Sequence, residues 1–343
     1  MDVLVVGGAG YIGSHMAKML CARGGSVTVI DNLSTGHRDA VPEAARLVVG
    51  DLGQRGFLHR FLEQNDFDAV MHYASCMDVA ESLRDPLKYY ENNVGNTLKL
   101  LEAMVAKGMK RLVFSSTAAV YGEPETFPVA ESHPLRPINP YGYSKLVVER
   151  MLADFDRAYG LKSAVLRDFN AAGASPDATL GERHDPETRL IPLLLQVAAG
   201  KRESVDVYGR DYDTPDGTCI RDYAQVDDIC SAHVAALERL ADGAGSATYN
   251  LGNGNGYSVL EVIRAVEQVT GRSLEARDAP RRPGDPARLV ADATKLKSEL
   301  AWAPRFPDIR EIVRHAWMWE TRGARPQPAR DLKRRGIART SPA

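Results

Sequence analysis

A tyrosine and a lysine four residues apart are the side chains of this sequence best suited to proton chemistry. Tyr141 and Lys145 begin a helical run after Pro140, and the i, i+4 spacing places them on one face of a helix. An isolated phenol has a pKa of about 10 and is a poor base at neutral pH. A neighbouring ammonium would stabilise the phenolate and lower that pKa. The pair therefore predicts a base that removes a hydroxyl proton from a substrate.

A hydroxyl group completes this candidate catalytic set. Ser115, Ser116 and Thr117 follow one another at the end of a predicted strand, and ligands of an open α/β sheet bind at the carboxyl ends of its strands. Thr117 is therefore placed where its hydroxyl could bridge a substrate oxygen and Tyr141. Taken alone, a Tyr-x-x-x-Lys pattern is common and Thr117 could simply cap a turn, so the prediction rests on the combination.

A glycine-rich turn near the N-terminus predicts a dinucleotide site. Gly7, Gly10 and Gly13 directly follow an apolar strand and lead into the helical pattern 12–23, which is the context that pyrophosphate binding at a helix N-terminus requires. Asp31 ends the second predicted strand, eighteen positions past Gly13. A carboxylate there can accept hydrogen bonds from a ribose diol and would repel a 2′-phosphate, which favours NAD over NADP. Asp51 ends the third strand and could contact adenine or cap a turn.

The elements that must position these residues alternate between short apolar runs and helical patterns, which is typical of a parallel sheet covered on both faces. We predict an α/β protein with a Rossmann-type doubly wound parallel sheet and a smaller C-terminal α+β substrate domain. The first domain covers 1–173 and is rejoined by about 220–250, and the second covers 174–343. The predicted strands are 3–7, 26–31, 46–51, 68–74, 111–116, 163–170 and 248–251, and the predicted helices are 86–107, 141–159, 190–199, 226–240 and 258–270.

Composition excludes several classes of function. The formal net charge is −2, so neither nucleic acid nor a membrane surface is an expected partner. No apolar run approaches a membrane span, and the chain opens on an apolar strand where a signal peptide would have a basic start. The four cysteines show neither CxxC nor ligand spacing, so we expect reduced thiols, a cytoplasmic location and no metal. The basic tail 329–343 is expected to be flexible.

The sequence as a whole resembles the extended short-chain dehydrogenase/reductase family, in its NAD-dependent epimerase/dehydratase branch. The resemblance runs from residue 1 to about residue 320. It rests on motifs that are together more specific than the glycine pattern alone, namely 7–14 (GGAGYIGS), 31–34 (DNLS), 89–93 (YYENN), 115–122 (SSTAAVYG), 141–145 (YGYSK), 169–174 (FNAAGA), 216–223 (DGTCIRDY), 249–252 (YNLG) and 281–292 (RRPGDPARLVAD).

The resemblance implies a tightly held NAD and a UDP-sugar whose C4 is inverted, with UDP-glucose and UDP-galactose as the expected pair. A hydride would leave C4 for the cofactor and return to the other face of a 4-keto sugar, with Tyr141 as base, Thr117 as its hydroxyl partner and Lys145 holding the cofactor ribose. The cofactor-binding residues implied are Gly7, Gly10, Tyr11, Ile12, Gly13, Asp31, Asn32, Ser34, Asp51, Leu52, Tyr73, Ala74, Asn92, Ser115, Tyr141, Lys145 and Phe169.

The resemblance also implies a substrate site and a homodimer. Arginines suit a diphosphate because their fork of donors pairs with its oxygens. The dimer would form through the helices 86–107 and 141–159, both with apolar positions at helical spacing. The substrate-binding residues implied are Thr117, Tyr141, Asn170, Arg189, Leu190, Val207, Tyr208, Arg221, Arg282, Asp285 and Leu289.

Several positions depart from the family pattern, and other functions stay open. Asp168 stands where relatives often have tyrosine, Met77 where some have lysine and Arg189 where Asn or His is usual. Leu289, in place of a larger tyrosine, suggests that N-acetylated sugars are admitted.

The alternative functions are a 4-epimerase of UDP-xylose/arabinose, UDP-glucuronate or UDP-GlcNAc, and a non-catalytic NAD-sensing protein. A 4,6-dehydratase is disfavoured because Ala118-Ala119 follow Thr117 where that chemistry needs Asp-Glu.

Overall fold

The computed structural model describes residues 1–282 and 284–322, so the predicted basic tail lies outside the described residues. The strands are β1 Asp2–Val6, β2 Ser26–Asp31, β3 Arg46–Val49, β4 Ala69–His72, β5 Arg111–Thr117, β6 Lys162–Asp168, β7 Asn170–Ala172, β8 Val205–Tyr208, β9 Ile220–Gln225, β10 Ala247–Leu251, β11 Gly256–Ser258, β12 Ala276–Ala279 and β13 Arg288–Leu289. The helices are α1 Tyr11–Ala22, α2 Arg55–Glu63, α3 Val79–Arg84, α4 Pro86–Tyr89, α5 Asn96–Lys107, α6 Pro140–Tyr159, α7 Leu190–Ala198, α8 Val226–Ala241, α9 Val259–Thr270, α10 Thr294–Glu299 and α11 Ile309–Thr321.

A seven-stranded parallel sheet forms the centre of the molecule, in the order β10-β6-β5-β4-β1-β2-β3. Its strands are apolar on both faces, and residues 3–6 of β1 are at most 1% exposed, because helices cover both sides. One face packs against α1 and α8, and the other against α2, α5 and α6. The strand order reverses between β1 and β4, and in such sheets the crevice outside the carboxyl ends at this point is where ligands bind. The predicted doubly wound sheet is confirmed.

The smaller unit is formed by later residues, but the large sheet is completed by them as well. Strands β7, β9, β11 and β13 make a second sheet, and β8 pairs with β12. The helices α7, α9 and α11 share an apolar core with these strands. The chain then returns, since β10 adds to the edge of the large sheet beside β6 and α8 packs on its face.

Two predicted elements differ from the structure in ways that matter for the site. The predicted strand 163–170 ends at Asp168, and after Phe169 the chain enters the second sheet as β7. The predicted helix 86–107 contains a π-helical segment, Tyr90–Gly95, between α4 and α5. Such π segments occur often at functional sites, because the extra residue redirects neighbouring side chains.

The described residues include no helix long and apolar enough to cross a membrane. All four cysteines lie among the described residues and are free thiols.

Candidate active site

A cavity of about 1850 Å³ lies between the carboxyl edge of the large sheet and the smaller unit. It extends from the glycine turn after β1 to the start of α7, so two ligands can lie side by side in it. Every residue predicted to bind the cofactor lines this cavity. So does every residue predicted to bind the substrate except Val207.

Val207, predicted to bind the substrate, does not line the cavity. It is 1% exposed and packs in the core of the smaller unit. Alternation along β8 points its side chain inward and those of Asp206 and Tyr208 toward the cavity, as the period of a strand requires.

The glycine turn has the shape that a pyrophosphate needs. Gly7 has φ +81°, and a Cβ there would overlap the backbone of Ala74; a Cβ on Gly13 would overlap the carbonyl oxygen of Gly7. Gly10 is the N-cap of helix α1 and offers no side-chain hydrogen bond, so no capping side chain occupies the N–H groups of the first turn. This cradle fits a dinucleotide, since a helix N-terminus binds phosphate through its free N–H groups and its dipole.

The acidic residues at the ends of β2 and β3 are held in place by the loop around them. The backbone N–H groups of Ala9 and Leu33 donate to the two carboxylate oxygens of Asp31, at 3.0 and 2.8 Å. Asn32 donates to Asp51 at 2.8 Å. Each carboxylate oxygen keeps a lone pair, so Asp31 can still accept a hydrogen bond from a ribose hydroxyl.

The three predicted catalytic residues meet at the carboxyl end of β5. Thr117 ends the strand and Tyr141 and Lys145 lie on the first turns of α6, which is capped by Asn139. Lys145 is 3% exposed. Its ammonium group donates to the carbonyl oxygen of Ser115 at 2.9 Å and lies 4.8 Å from the centre of the Phe114 ring.

The charge state of Tyr141 differs from the expectation drawn from its spacing to Lys145. Burial raises the pKa of Tyr141, and the hydrogen bond with Thr117 and the charge of Arg189 only partly oppose it. The ammonium of Lys145 is directed at the Ser115 carbonyl and is not among the groups that lower this pKa. In the protein by itself the phenol is therefore the favoured form.

A basic cluster lies on the side of the cavity formed by the smaller unit. Arg221 donates to the carbonyl oxygen of Pro286 at 2.8 Å and lies 3.6 Å from Asp285. Arg282 donates to Asp285 at 3.2 Å and lies 4.4 Å from the centre of the Tyr208 ring. The cluster presents two guanidinium groups toward the cavity, which suits an anionic ligand.

Two positions that depart from the family pattern touch each other. Arg189 at the start of α7 donates to the sulfur of Met77 at 3.4 Å, and both line the cavity. A thioether is a weak acceptor, so this contact leaves the guanidinium available to a ligand. Because residues 77 and 189 are far apart in the sequence, this contact could not be predicted.

Some side chains that hold the cavity wall could not be identified from the sequence. Asn93, beside the predicted Asn92, is buried and donates to Ser144 at 2.9 Å and to the carbonyl oxygen of Cys76 at 3.0 Å. Its amide thereby ties the loop after β4 to α6. The YYENN motif indicated this segment, but the π-helical turn determines that Asn93 is the asparagine whose side chain is buried.

A histidine between two glutamates was missed too. Burial alone would lower the pKa of His184, but the carboxylates of Glu182 and Glu187, 3.2 and 3.8 Å from its Nδ1, raise it to about 9. The three side chains lie close enough to share an ion, but the contacts of a protonated His184 with the two carboxylates account for their approach. These residues fix the loop before Arg189.

The order of the parallel strands, the cradle at the helix N-terminus and the Thr-Tyr-Lys set define a dinucleotide-binding protein of the short-chain dehydrogenase/reductase type. Residues 3–252 match the model of the NAD dependent epimerase/dehydratase family, and the chain belongs to that family.

Named relatives share almost the whole chain. The UDP-glucose 4-epimerase of Lacticaseibacillus casei is 49% identical over 93% of this chain and 96% of its own length. The crystal structure of UDP-glucose 4-epimerase from Brucella ovis in complex with NAD matches with a TM-score of 0.90 at 46% identity, covering 93% of this chain and 98% of that one. The enzyme from Bifidobacterium longum in complex with NAD+ and UDP matches with a TM-score of 0.90 at 38% identity, covering 94% and 99%.

Proposed function

We propose that this protein is an NAD-dependent 4-epimerase that interconverts UDP-glucose and UDP-galactose through a transient 4-keto sugar. The observation that carries the proposal is the meeting of Thr117, Tyr141 and Lys145 in one cavity with the glycine cradle. The names of the relatives support the choice of sugar nucleotide. NAD, when bound, supplies the acceptor that takes a hydride from C4 and gives it back.

The residues of the chain have separate tasks in this reaction. Tyr141 takes the proton of the sugar O4 and returns it, and Thr117 holds the same oxygen in line with the phenol. Lys145 keeps a positive charge beside them, in a buried place where charges act strongly. Arg221 and Arg282 hold the diphosphate, so the sugar can turn over while its nucleotide stays bound.

The direct test is incubation of the purified protein with UDP-galactose and no added cofactor. We expect UDP-glucose to form, because the cofactor is held through turnover, and we expect denaturation of the same sample to release NAD. Absence of conversion even with added NAD would contradict the proposed activity. Conversion that needs added NAD would contradict only tight binding. UDP-N-acetylgalactosamine in the same assay tests the pocket beside Leu289, which is 9% exposed and lines the cavity.

We also infer that the protein acts as a homodimer. Large apolar side chains are exposed along α4, the π-helical segment, α5 and α6. Leu87 is 73%, Tyr90 41%, Leu98 45%, Tyr143 47% and Val147 37% exposed. The outward positions repeat at helical spacing on neighbouring helices, and monomers rarely expose such patches. A second copy packed on this face would form the four-helix contact expected from the sequence.

Replacing Leu98 by glutamate should weaken this association, because an unpaired carboxylate would be buried in the interface. Sedimentation velocity should show a dimer for the wild type and a concentration-dependent shift to monomer for Leu98→Glu. Val49 lies on the edge strand β3, away from the patch, and is 49% exposed. Val49→Glu makes the same chemical change and should leave the dimer intact. Dimerisation unaffected by Leu98→Glu would exclude this face.

A cytoplasmic location is part of the proposal. It is supported by the four cysteines, which are all free thiols, since secreted domains commonly pair theirs.

A further inference from the structure

Three buried polar atoms without a hydrogen-bond partner lie together at the catalytic end of the cavity. They are Oδ1 of Asp168, Nε2 of His233 and the hydroxyl of Tyr73. His233 on α8 is 0% exposed and Asp168 at the end of β6 is 6% exposed. The rings of Tyr73 and His233 have their centres 5.4 Å apart. Buried polar groups are nearly always paired, so this group requires a physical account.

The tautomer of His233 follows from its other ring nitrogen. Nδ1 lies 3.0 Å from the carbonyl oxygen of Ile229, and a carbonyl oxygen only accepts, so Nδ1 carries a proton. The other ring nitrogen, Nε2, lies 3.9 Å from Oδ2 of Asp168, which is too far for a hydrogen bond. The imidazole therefore fills none of the acceptor sites of this carboxylate.

We propose that the buried carboxylate of Asp168 is retained for its charge, as a positioning residue that keeps Lys145 charged. The inference rests on the proposed function, in which Lys145 acts beside Tyr141. It adds to that reaction a residue that touches neither the sugar oxygen nor the phenol.

The connection from Asp168 to Lys145 runs through one residue. The hydroxyl of Ser115 donates to Oδ2 of Asp168 at 2.7 Å, and the carbonyl oxygen of Ser115 accepts from Lys145 at 2.9 Å. Ser115 at the end of β5 therefore contacts both the carboxylate of Asp168 and the ammonium group of Lys145. An anion in that place attracts the ammonium through a medium that screens little.

The electrostatics of the surrounding elements agree with this arrangement. Burial lowers the pKa of Lys145 to about 8, and Asp168 opposes this most, followed by Glu149 on α6 and Cys76 after β4. Burial raises the pKa of Asp168, and His233, Ser115 and Lys145 oppose this only in part. Tyr73, Tyr141 and Cys230 also face this carboxylate, and its charge raises the pKa of each.

Replacing Asp168 by asparagine tests the positioning role. The amide oxygen can still accept from Ser115, but the negative charge is gone, so Lys145 should lose its proton at lower pH. The high-pH limb of the kcat/KM profile with UDP-galactose should move down by about one unit. Lost packing alone would lower the rate at every pH and leave the limb in place, and that outcome would overturn the proposal.

A second buried carboxylate provides the matched control. Asp228 on α8 accepts from the backbone N–H groups of Arg305 and Phe306, at 2.9 and 2.8 Å, on a side of the helix away from the cavity. Asp228→Asn should reduce thermal stability and leave the pH profile unchanged. An equal movement of the limb in both variants would also overturn the proposal.

The charge of Lys145 can also be read without any activity. We would label the lysines of the purified holoenzyme with ¹³C at Cε and assign the Lys145 resonance by its loss in Lys145→Met. The midpoint of its titration should be lower in Asp168→Asn than in the wild type and unchanged in Asp228→Asn. Equal midpoints in the wild type and Asp168→Asn would overturn the inference. If no UDP-sugar is converted, the proposed function fails, while the titration still decides the role of Asp168.

Discussion

Replacing Tyr141 by phenylalanine should lower the rate of epimerisation about 1,000-fold, within the range that positioned acid–base groups contribute. The phenol is the group placed to take the O4 proton, and phenylalanine keeps the ring while removing the hydroxyl. Because Tyr141 lies beside Thr117 and away from the glycine cradle, NAD should still be released on denaturation in the wild-type amount. The measurement is kcat with saturating UDP-galactose, together with the dinucleotide content.

Tyr143 offers a matched control on the same helix. It lies two residues further along α6 and is 47% exposed, so Tyr143→Phe removes a phenolic hydroxyl outside the cavity. Its turnover should stay within about twofold of the wild type, because the ring that contributes to the proposed dimer face is kept and only one hydroxyl group is removed. Comparable losses in both variants, or an active Tyr141→Phe, would remove the phenol from the mechanism.

Replacing Gly7 by alanine should abolish retention of NAD and lower the melting temperature markedly. Two costs combine at this position. An alanine at φ +81° carries a backbone strain of about 1–2 kcal/mol, and its Cβ would overlap the backbone of Ala74. Relief of that overlap moves the turn away from β4 and opens the cradle. Thermal unfolding and the ratio of bound dinucleotide to protein would report both effects.

Gly24 separates the two costs. It has φ +79° and open space where a Cβ would lie, so Gly24→Ala introduces the strain without the overlap. We expect a small loss of stability and a full complement of NAD. A Gly7→Ala protein that keeps its NAD as Gly24→Ala does would show that close approach at residue 7 is unimportant.

The parts of the site that depend on short stretches of sequence could be predicted well. The strand, glycine turn and helix around residues 3–23 follow one another in the chain, and so do Tyr141 and Lys145, whose i, i+4 spacing fixes their relation before any tertiary contact forms. The doubly wound sheet followed from the same alternation of apolar runs and helices.

What could not be predicted depends on contacts between distant segments. Nothing in the sequence near residue 168 shows that β6 stops there and that the chain changes sheets, because β9 and β10 decide it from positions 220–251. The direction of the Lys145 ammonium toward Ser115 and the approach of His233 to Asp168 are likewise products of packing. Val207 was misplaced because the face that a short strand presents is set by the sheet to which it is added.

The late arrival of β10 has a consequence for the synthesis of the protein. Until residues 247–251 have emerged from the ribosome, β10 cannot pair with β6. During that time β6 is an edge strand, and its unpaired N–H and C=O groups can bind to other chains. The cofactor-binding half therefore cannot finish folding as an independent N-terminal unit, and it must wait for the smaller unit to be largely translated. Truncation before residue 247 leaves that edge open permanently.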